Sequence, residues 1–123
     1  MKQSDCVSIK KMIFYCDQID ALMDRFGRDL DAFKHDFAYQ YAVNMCILQI
    51  GELVNHLTPE ALAENAQVPW RLIRAMRNTF AHDYERTKLS IVWHTMNEDI
   101  PVLRRQLVSV LNATALNDEG REA

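Results

Sequence analysis

The residues best suited to chemistry lie between Pro69 and Tyr84, where three arginines, an asparagine, a histidine and a tyrosine occur within one short stretch. Arg77 and His82 stand out among them. An arginine is always charged and its planar fork fits phosphate oxygens, whereas a histidine exchanges a proton near neutral pH. Together they could cleave RNA if His82 removes a ribose 2′-OH proton and Arg77 stabilises the charge on the attacked phosphate. This scheme requires no metal ion, and we predict no cofactor.

The spacing of the two residues places a condition on the helix that carries them. Arg77 and His82 are five positions apart, so on an unbroken helix their side-chain directions differ by about 140°. We therefore expect the helix to unwind after Thr79, which would let His82 swing back toward Arg77. A homodimer with two such sites side by side would supply one histidine as base and a second as acid. The alternative is that Arg77 forms a surface ion pair and His82 caps a helix end.

The charge distribution favours a site for a small anionic group over a long groove that follows a phosphate backbone. The 123-residue chain has a formal net charge of −3, which excludes a basic nucleic-acid coat. Between Trp70 and Lys88, however, five basic residues stand against two acidic ones. The predicted site is a local basic spot on an acidic protein.

Composition and apolar spacing predict an all-α fold. Three glycines and three prolines leave few turns, and apolar residues recur at three- and four-residue steps. We predict a single domain over residues 1–123, built as an up-and-down bundle of four main helices plus one short helix. The main helices are expected from Ser4 to Phe26 with a stop at Gly27, then, after a polar connection, from an N-cap at Asp31 or Asp36 to about Leu57, from Pro69, and from Thr87 or Lys88. The short helix follows an N-cap at Thr58, and residues 112–123 form a frayed tail.

Three positions carry local expectations. Gly51 interrupts the second main helix at a cost of about 1 kcal/mol relative to alanine, so we expect a neighbouring backbone or a ligand to approach closely there. Glu52 follows it and, on pattern alone, is a solvated charge. Pro101 lies inside the last apolar pattern and predicts a kink or a restart. The second main helix has apolar residues on two sides, which predicts that it is the most central one.

The cysteines and histidines give no sign of a disulfide or metal site. Cys6, Cys16 and Cys46 are odd in number, form no C-x-x-C pair and fall within apolar helical patterns, which indicates buried, reduced thiols. The histidines are not spaced as metal ligands, so we predict no zinc site. There is no signal-peptide pattern and no apolar run long enough to span a bilayer. We expect a cytoplasmic protein with no membrane partner.

The run from Arg77 to Tyr84 resembles the R-x4-H-x-Y motif of HepT-like toxins, which belong to the HEPN superfamily of all-α ribonuclease domains. The resemblance covers nearly the whole chain, because other segments match the family in the same order. These segments are Gln49-Ile50-Gly51-Glu52 on the second main helix, Pro69-Trp70 before the motif, and Val92-Trp93 and Asp99-Ile100-Pro101-Val102-Leu103 on the last helix.

This resemblance implies a metal-independent ribonuclease that is dimeric and acts as the toxin of a toxin–antitoxin pair. It implies that Arg77 and His82 are catalytic and that Asn78 and Glu52 support them. It further implies that Tyr84 accepts AMP from a nucleotidyltransferase antitoxin, which would put negative charge two residues from His82 and repel RNA. The antitoxin could act by modification, by occlusion or by both. The alternative function is a non-catalytic helical module that binds a nucleotide phosphate and positions the nucleotidyltransferase.

Overall fold

The computed structural model describes the backbone of residues 1–82 and 88–122 and the side chains of residues 1–80 and 88–116. Within these ranges the chain is helical and has no strand, which confirms the all-α prediction. The helices in chain order are α1 (Gln3–Phe26), α2 (Leu30–Lys34), α3 (Phe37–Val54), α4 (Pro59–Glu64), α5 (Trp70–His82), α6 (Leu89–His94) and α7 (Ile100–Glu122), with a π-helical segment (Thr95–Asp99) between α6 and α7. The first three predicted main helices are α1, α3 and α5, and the last one is α6, the π-helical segment and α7 together.

The helix boundaries follow local capping chemistry. Gly27 ends α1 with a φ of 123°, and its N–H donates to the carbonyl of Met23. Asp36, one of the two predicted N-caps of α3, accepts hydrogen bonds from two backbone N–H groups of the first turn. The sequence predicted only a polar connection between α1 and α3, but this connection contains a short helix. Asp29 accepts from the N–H of Ala32 at 2.8 Å and thereby caps the additional short helix α2.

Hydrogen bonds at both ends show that α1 and α3 are antiparallel. The hydroxyl of Tyr39, at the beginning of α3, donates to the carbonyl of Gly27, at the end of α1, over 2.9 Å. At the opposite end, the N–H of Thr58 donates to Asp5 over 2.9 Å. The side chain of Thr58 also caps α4, as predicted.

α5 begins at the end of the bundle where α3 stops. The indole N–H of Trp70 donates to the carbonyl of Asn65 over 3.0 Å, and the side-chain amide of Asn65 lies 3.6 Å from the sulfur of Met1. The start of α5 is therefore beside the start of α1, and α5 runs antiparallel to α3. This arrangement brings the middle of α5 against the last turns of α3.

One face of α3 is in the core and the opposite face is open. Its buried stripe consists of Tyr39, Val43, Ile47, Ile50 and Val54, each essentially inaccessible to solvent. The second stripe is exposed: Phe37, Tyr41 and Met45 retain 71%, 62% and 55% of their accessible surface. α3 packs against both α1 and α5, in agreement with its predicted central place in the bundle, but these two helices leave its second apolar stripe exposed in a single chain.

The interruption predicted at Pro101 takes the form of the π-helical segment that ends two residues before it. The N–H of Ile100 reaches back five residues to the carbonyl of Thr95, and Pro101 has no N–H to continue an ordinary ladder. α7 then remains helical to Glu122, across the stretch predicted to be a frayed tail. Fraying of residues 112–123 stays a prediction.

Two of the three cysteines are buried thiols, which the sequence indicated for all three. Cys16 and Cys46 are free and buried, whereas Cys6 is free but only partly buried. Burial raises the pKa of Cys16 to about 12 and that of Cys46 to about 11. Both thiols are therefore protonated at neutral pH and poorly reactive. None of the described helices is long and apolar enough to cross a membrane.

Asp5 joins α1 to the chain that enters α4. Its side chain is fully buried. The carboxylate accepts from the N–H and the hydroxyl of Thr58, both at 2.9 Å, and from the N–H of Lys2 at 3.1 Å. Burial alone would raise the pKa of Asp5, but these hydrogen bonds outweigh it and the pKa lies below its usual value.

We expect Asp5→Asn to destabilise the protein by about 1–3 kcal/mol, because the charge-assisted hydrogen bonds are lost in a buried position. A lowered pKa means that this stabilisation is fully present above the ordinary aspartate value of about 3.9 and is lost as the pH falls through the folded-state value. Urea unfolding of both proteins between neutral and acidic pH should therefore show a difference that shrinks on acidification. Asp99→Asn, at an exposed position, is the matched control. A difference that stays constant with pH would contradict this role.

Candidate functional site

α3 and α5 are in tight contact at Gly51 and Arg77. A Cβ atom placed on Gly51 would overlap the Cβ of Arg77 and lie 2.7 Å from its Cγ and 3.3 Å from its Cα. The close approach predicted at Gly51 is therefore confirmed. The neighbouring atoms are the Cα, Cβ and Cγ of Arg77. Because the two helices touch here, the Cβ and Cγ of Arg77 pack directly against Gly51 of α3, and this contact fixes their position.

The guanidinium of Arg77 lies between two side-chain acceptors. Its Nη2 is 3.2 Å from a carboxylate oxygen of Glu52, and its Nη1 donates to the side-chain oxygen of Asn78 over 3.2 Å. The Arg77 and Glu52 side chains are 32% and 46% exposed. Glu52 is therefore a partner of Arg77 and not merely a solvated charge, and the guanidinium is oriented yet open to solvent. This ion pair is compatible with a phosphate site at Arg77 and also with the alternative that Arg77 only forms a surface ion pair. It therefore does not distinguish the two interpretations.

α5 does not unwind after Thr79, contrary to the sequence-based expectation. Its backbone is helical to His82. The hydroxyl of Thr79 donates to the carbonyl of Ala75 over 3.1 Å, one turn back within the helix. Phe80 is buried in the core at 4% exposure and anchors the last turn. Packing of Phe80 therefore outweighs the low helix propensity of a β-branched residue.

The backbone of α5 is helical through position 82. Positions 77 and 82 are therefore about 140° apart around the helix axis, and the backbone alone does not turn these two positions toward one point. The side chain of His82 and the whole of Tyr84 lie outside the described residues. Their predicted roles in catalysis and modification stay predictions. The residues that the structure does bring together are Gly51, Glu52, Arg77 and Asn78.

The rest of α5 adds positive charge near this cluster. Arg74 is one helical turn before Arg77, and Arg71 is a further turn back; both are exposed. Glu52 is the carboxylate that contacts Arg77 in the described part of the chain. The described part of α5 thus carries exposed positive charge, with Glu52 beside Arg77, the last of these three arginines. Such a local positive charge suits a small anionic group.

A separate apolar groove lies between α5 and α7. Its volume is 480 Å³, and its lining includes Leu72, Met76, Val102 and Leu103. Its described lining does not include Arg77 or Glu52. Because an apolar surface does not attract a phosphate, we place the candidate site at the α3–α5 contact and not in this groove.

Asn44 is a residue that the sequence analysis did not single out. It is seven positions before Gly51, so on α3 the two face within about 20° of each other. Its side-chain oxygen is buried and has no hydrogen-bond partner in the described part of the chain. The signal in the sequence was this seven-residue spacing, which puts a polar group on the face of α3 that meets α5.

Comparison with known proteins identifies the family of this chain. The family model described as "Ribonuclease HepT-like" matches residues 15–110. The chain is 36% identical over 62 residues to "Putative RNase TTE0752" of Caldanaerobacter subterraneus, a match covering 50% of this chain and 55% of that protein, less than two thirds of its length. It is 29% identical over 85 residues to "Probable ribonuclease HepT" of Thermococcus cleftensis, covering 68% of this chain and 77% of the relative.

A third relative is "Putative RNase MJ0125" of Methanocaldococcus jannaschii, which is 26% identical over 88 residues, covering 70% of this chain and 76% of the relative. No solved structure matches the chain. The matched region extends from within α1 to within α7 and contains both helices that form the Gly51–Arg77 contact.

Proposed function

We propose that this chain, which belongs to the ribonuclease HepT-like family, is a metal-independent endoribonuclease that acts through Arg77 and His82. The observation that carries the proposal is the family match across residues 15–110. The geometry adds support, because the Arg77 guanidinium is oriented by two acceptors and still reachable from solvent. Purified protein should therefore cleave RNA in the presence of EDTA, and His82→Ala should not.

The proposed reaction is an internal transfer at one phosphodiester. The imidazole of His82 accepts the proton of the 2′-OH, and the 2′-oxygen attacks the adjacent phosphorus. The bond from phosphorus to the 5′-oxygen breaks, which leaves a 2′,3′-cyclic phosphate, and the 5′-oxygen takes up a proton. Arg77 stabilises the charge on the phosphate oxygens during the transfer. Each proton transfer that a positioned side chain assists contributes about 10²–10⁴-fold.

We further propose that the active form is a homodimer. The leaving 5′-oxygen needs an acid as well as a base for the 2′-OH, and a second copy would bring a second His82. Because positions 77 and 82 are on different faces of the continuous helix α5, a site shared by two chains is the arrangement we favour. The exposed stripe of Phe37, Tyr41 and Met45 on α3 is the kind of apolar surface that a second copy covers. It lies on the same side of α3 as Glu52, which is seven positions beyond Met45.

Tyr41→Lys should convert the dimer to a monomer, because it places a charge at the centre of this stripe. We expect sedimentation equilibrium to show at least a tenfold weaker dimer, since a buried unpaired charge costs several kcal/mol. Cleavage at low protein concentration should fall in parallel. Leu116→Lys, at another exposed apolar position on α7, is the matched control. A monomeric wild type, or an unchanged dimer in Tyr41→Lys, would exclude this surface.

The biological role we propose is that of a cytoplasmic toxin with a nucleotidyltransferase antitoxin. Transfer of AMP to the hydroxyl of Tyr84 would add bulk and negative charge two residues from His82, where they would repel RNA. Occlusion of the site by the bound antitoxin is the other route. Mass spectrometry after incubation with the nucleotidyltransferase and ATP distinguishes them, because only transfer increases the mass, and Tyr84→Phe should prevent that increase.

The second candidate is a non-catalytic helical module that binds a nucleotide phosphate and positions the nucleotidyltransferase. It applies if no second chain brings together positions 77 and 82, which are on different faces of the continuous helix α5. It predicts that the partner binds while RNA stays intact at every protein concentration. RNA cleavage in EDTA by the wild type, compared with His82→Ala, decides between the two functions.

A further inference from the structure

Both terminal nitrogens of Arg77 already contact other side chains in the free protein. An arginine grips a phosphate through two neighbouring N–H groups. Both terminal nitrogens of Arg77 have an acceptor at 3.2 Å: Glu52 for Nη2 and Asn78 for Nη1. An incoming phosphate must therefore share these nitrogens or displace an acceptor.

The two acceptors differ in what they do to an anion. Asn78 is neutral and adjacent to Arg77 on α5, so it can orient the guanidinium without repelling a phosphate. Glu52 carries a full negative charge and belongs to α3. Its charge offsets the positive charge of Arg77 and repels an anion that approaches the guanidinium. Because Glu52 is nearly half exposed, the ion pair is weak and easily broken.

We infer that Glu52 is a competing anion that occupies Arg77 in the free protein and must be displaced by the phosphate of the substrate. The inference rests on the proposed function, since it treats Arg77 as the phosphate-binding residue. Glu52 is then a specificity-determining residue. A polyanionic RNA, which also meets Arg74 and Arg71, displaces it, whereas a single phosphate ion gains too little from one neutralised arginine.

Glu52→Gln tests the charge alone, because glutamine has the same shape and keeps an oxygen that can accept from Nη2. The probes are a fluorescent 2′-O-methyl oligoribonucleotide, which has no attacking hydroxyl, and inorganic phosphate as its competitor. We expect the Kd for the oligonucleotide to fall about 3- to 10-fold at low salt, as for removal of one charge a few Å away at a surface. The inhibition constant of phosphate should fall at least as much.

Two features make the result specific to the Glu52 charge. The gain should shrink as salt is added, because exposed charges are screened. Glu98→Gln removes the same charge from an exposed position in the π-helical segment and should leave both constants unchanged. With cleavable RNA, the KM of Glu52→Gln should fall with Kd, and kcat should also fall severalfold because Arg77 has lost part of its anchor.

The outcomes separate this inference from the proposed function. If Glu52→Gln binds the oligonucleotide equally well or more weakly, Glu52 only positions Arg77 and the inference is wrong, whether or not the wild type cleaves RNA. If Glu52→Gln binds more tightly and the wild type does not cleave RNA, the nuclease proposal fails while the competing role of Glu52 stands. Thermal unfolding of both variants verifies that they are folded.

Discussion

Arg77→Ala should lower kcat for RNA cleavage by about 10²–10³-fold, the usual effect of removing one donor that stabilises transition-state charge. His82→Ala should lower it by about 10²–10⁴-fold, since it removes the proposed base. Neither change should unfold the protein. The pair of Arg77 with Glu52 is partly exposed, so it contributes about 0–1 kcal/mol to stability, and the alanine in Arg77→Ala keeps the Cβ that packs against Gly51.

Two further variants separate the geometry of Arg77 from its charge. Arg77→Lys keeps a positive charge but loses the planar fork, so we expect it to recover only part of the activity. Arg71→Ala removes an exposed arginine from the same helix and should affect RNA binding weakly and kcat little. Single-turnover cleavage in EDTA, with circular dichroism as the folding control, measures all four variants. Equal loss in Arg71→Ala and Arg77→Ala would show that α5 acts only through its net charge.

The features that sequence reasoning predicted correctly are those set by local chemistry. The stop of α1 at Gly27, the cap of α3 at Asp36 and the cap of α4 at Thr58 each depend on a few neighbouring residues. The close approach at Gly51 was also predictable, because a glycine inside a helix has a cost that a tight contact explains. The pairing of Arg77 with Glu52 was not predicted from the sequence, and the catalytic role of Arg77 stays a prediction.

The features that it missed depend on contacts between distant parts of the chain. The continuation of α5 to His82 depends on burial of Phe80 in the core, which the local β-branched Thr79 does not indicate. The exposure of the second apolar stripe on α3 was not predicted, since an apolar pattern cannot show whether the surface that covers it belongs to the same chain. The π-helical segment depends on two features together. Pro101 follows it and has no N–H, and Thr95 and Met96 within it are buried in the core.

Gly51→Ala should destabilise the protein and inactivate it, although alanine is the better helix former by about 1 kcal/mol. The new Cβ would overlap the Cβ of Arg77 and crowd its Cγ at 2.7 Å. Both Cβ positions are fixed by their backbones, so no rotamer change relieves the overlap and α3 must move away from α5. Overpacking of this kind costs about 1–3 kcal/mol. Urea unfolding should therefore show a net loss of stability.

The same movement should affect cleavage more than stability. Arg77 is carried by the backbone that must shift, and a displacement of about 1 Å at a catalytic group can lower the rate about 10²-fold. We expect Gly51→Ala to bind RNA but cleave it at least tenfold more slowly under conditions where it is fully folded. A stabilised, active Gly51→Ala would show that helix propensity dominates and that the contact with Arg77 is loose.

A second substitution can show that the steric conflict lies at Arg77 itself. Arg77→Gly removes the Cβ and Cγ that Gly51→Ala would meet, at a cost of about 1 kcal/mol in helix propensity. In the double variant the two changes should compensate, so the loss of stability should be smaller than the sum of the single losses, with a coupling of about 0.5–3 kcal/mol. Cleavage should stay absent because the guanidinium is gone. Recovery of packing without recovery of activity would assign two distinct roles to one contact: Gly51 allows the helices to meet, and Arg77 uses that contact to hold its charge in place.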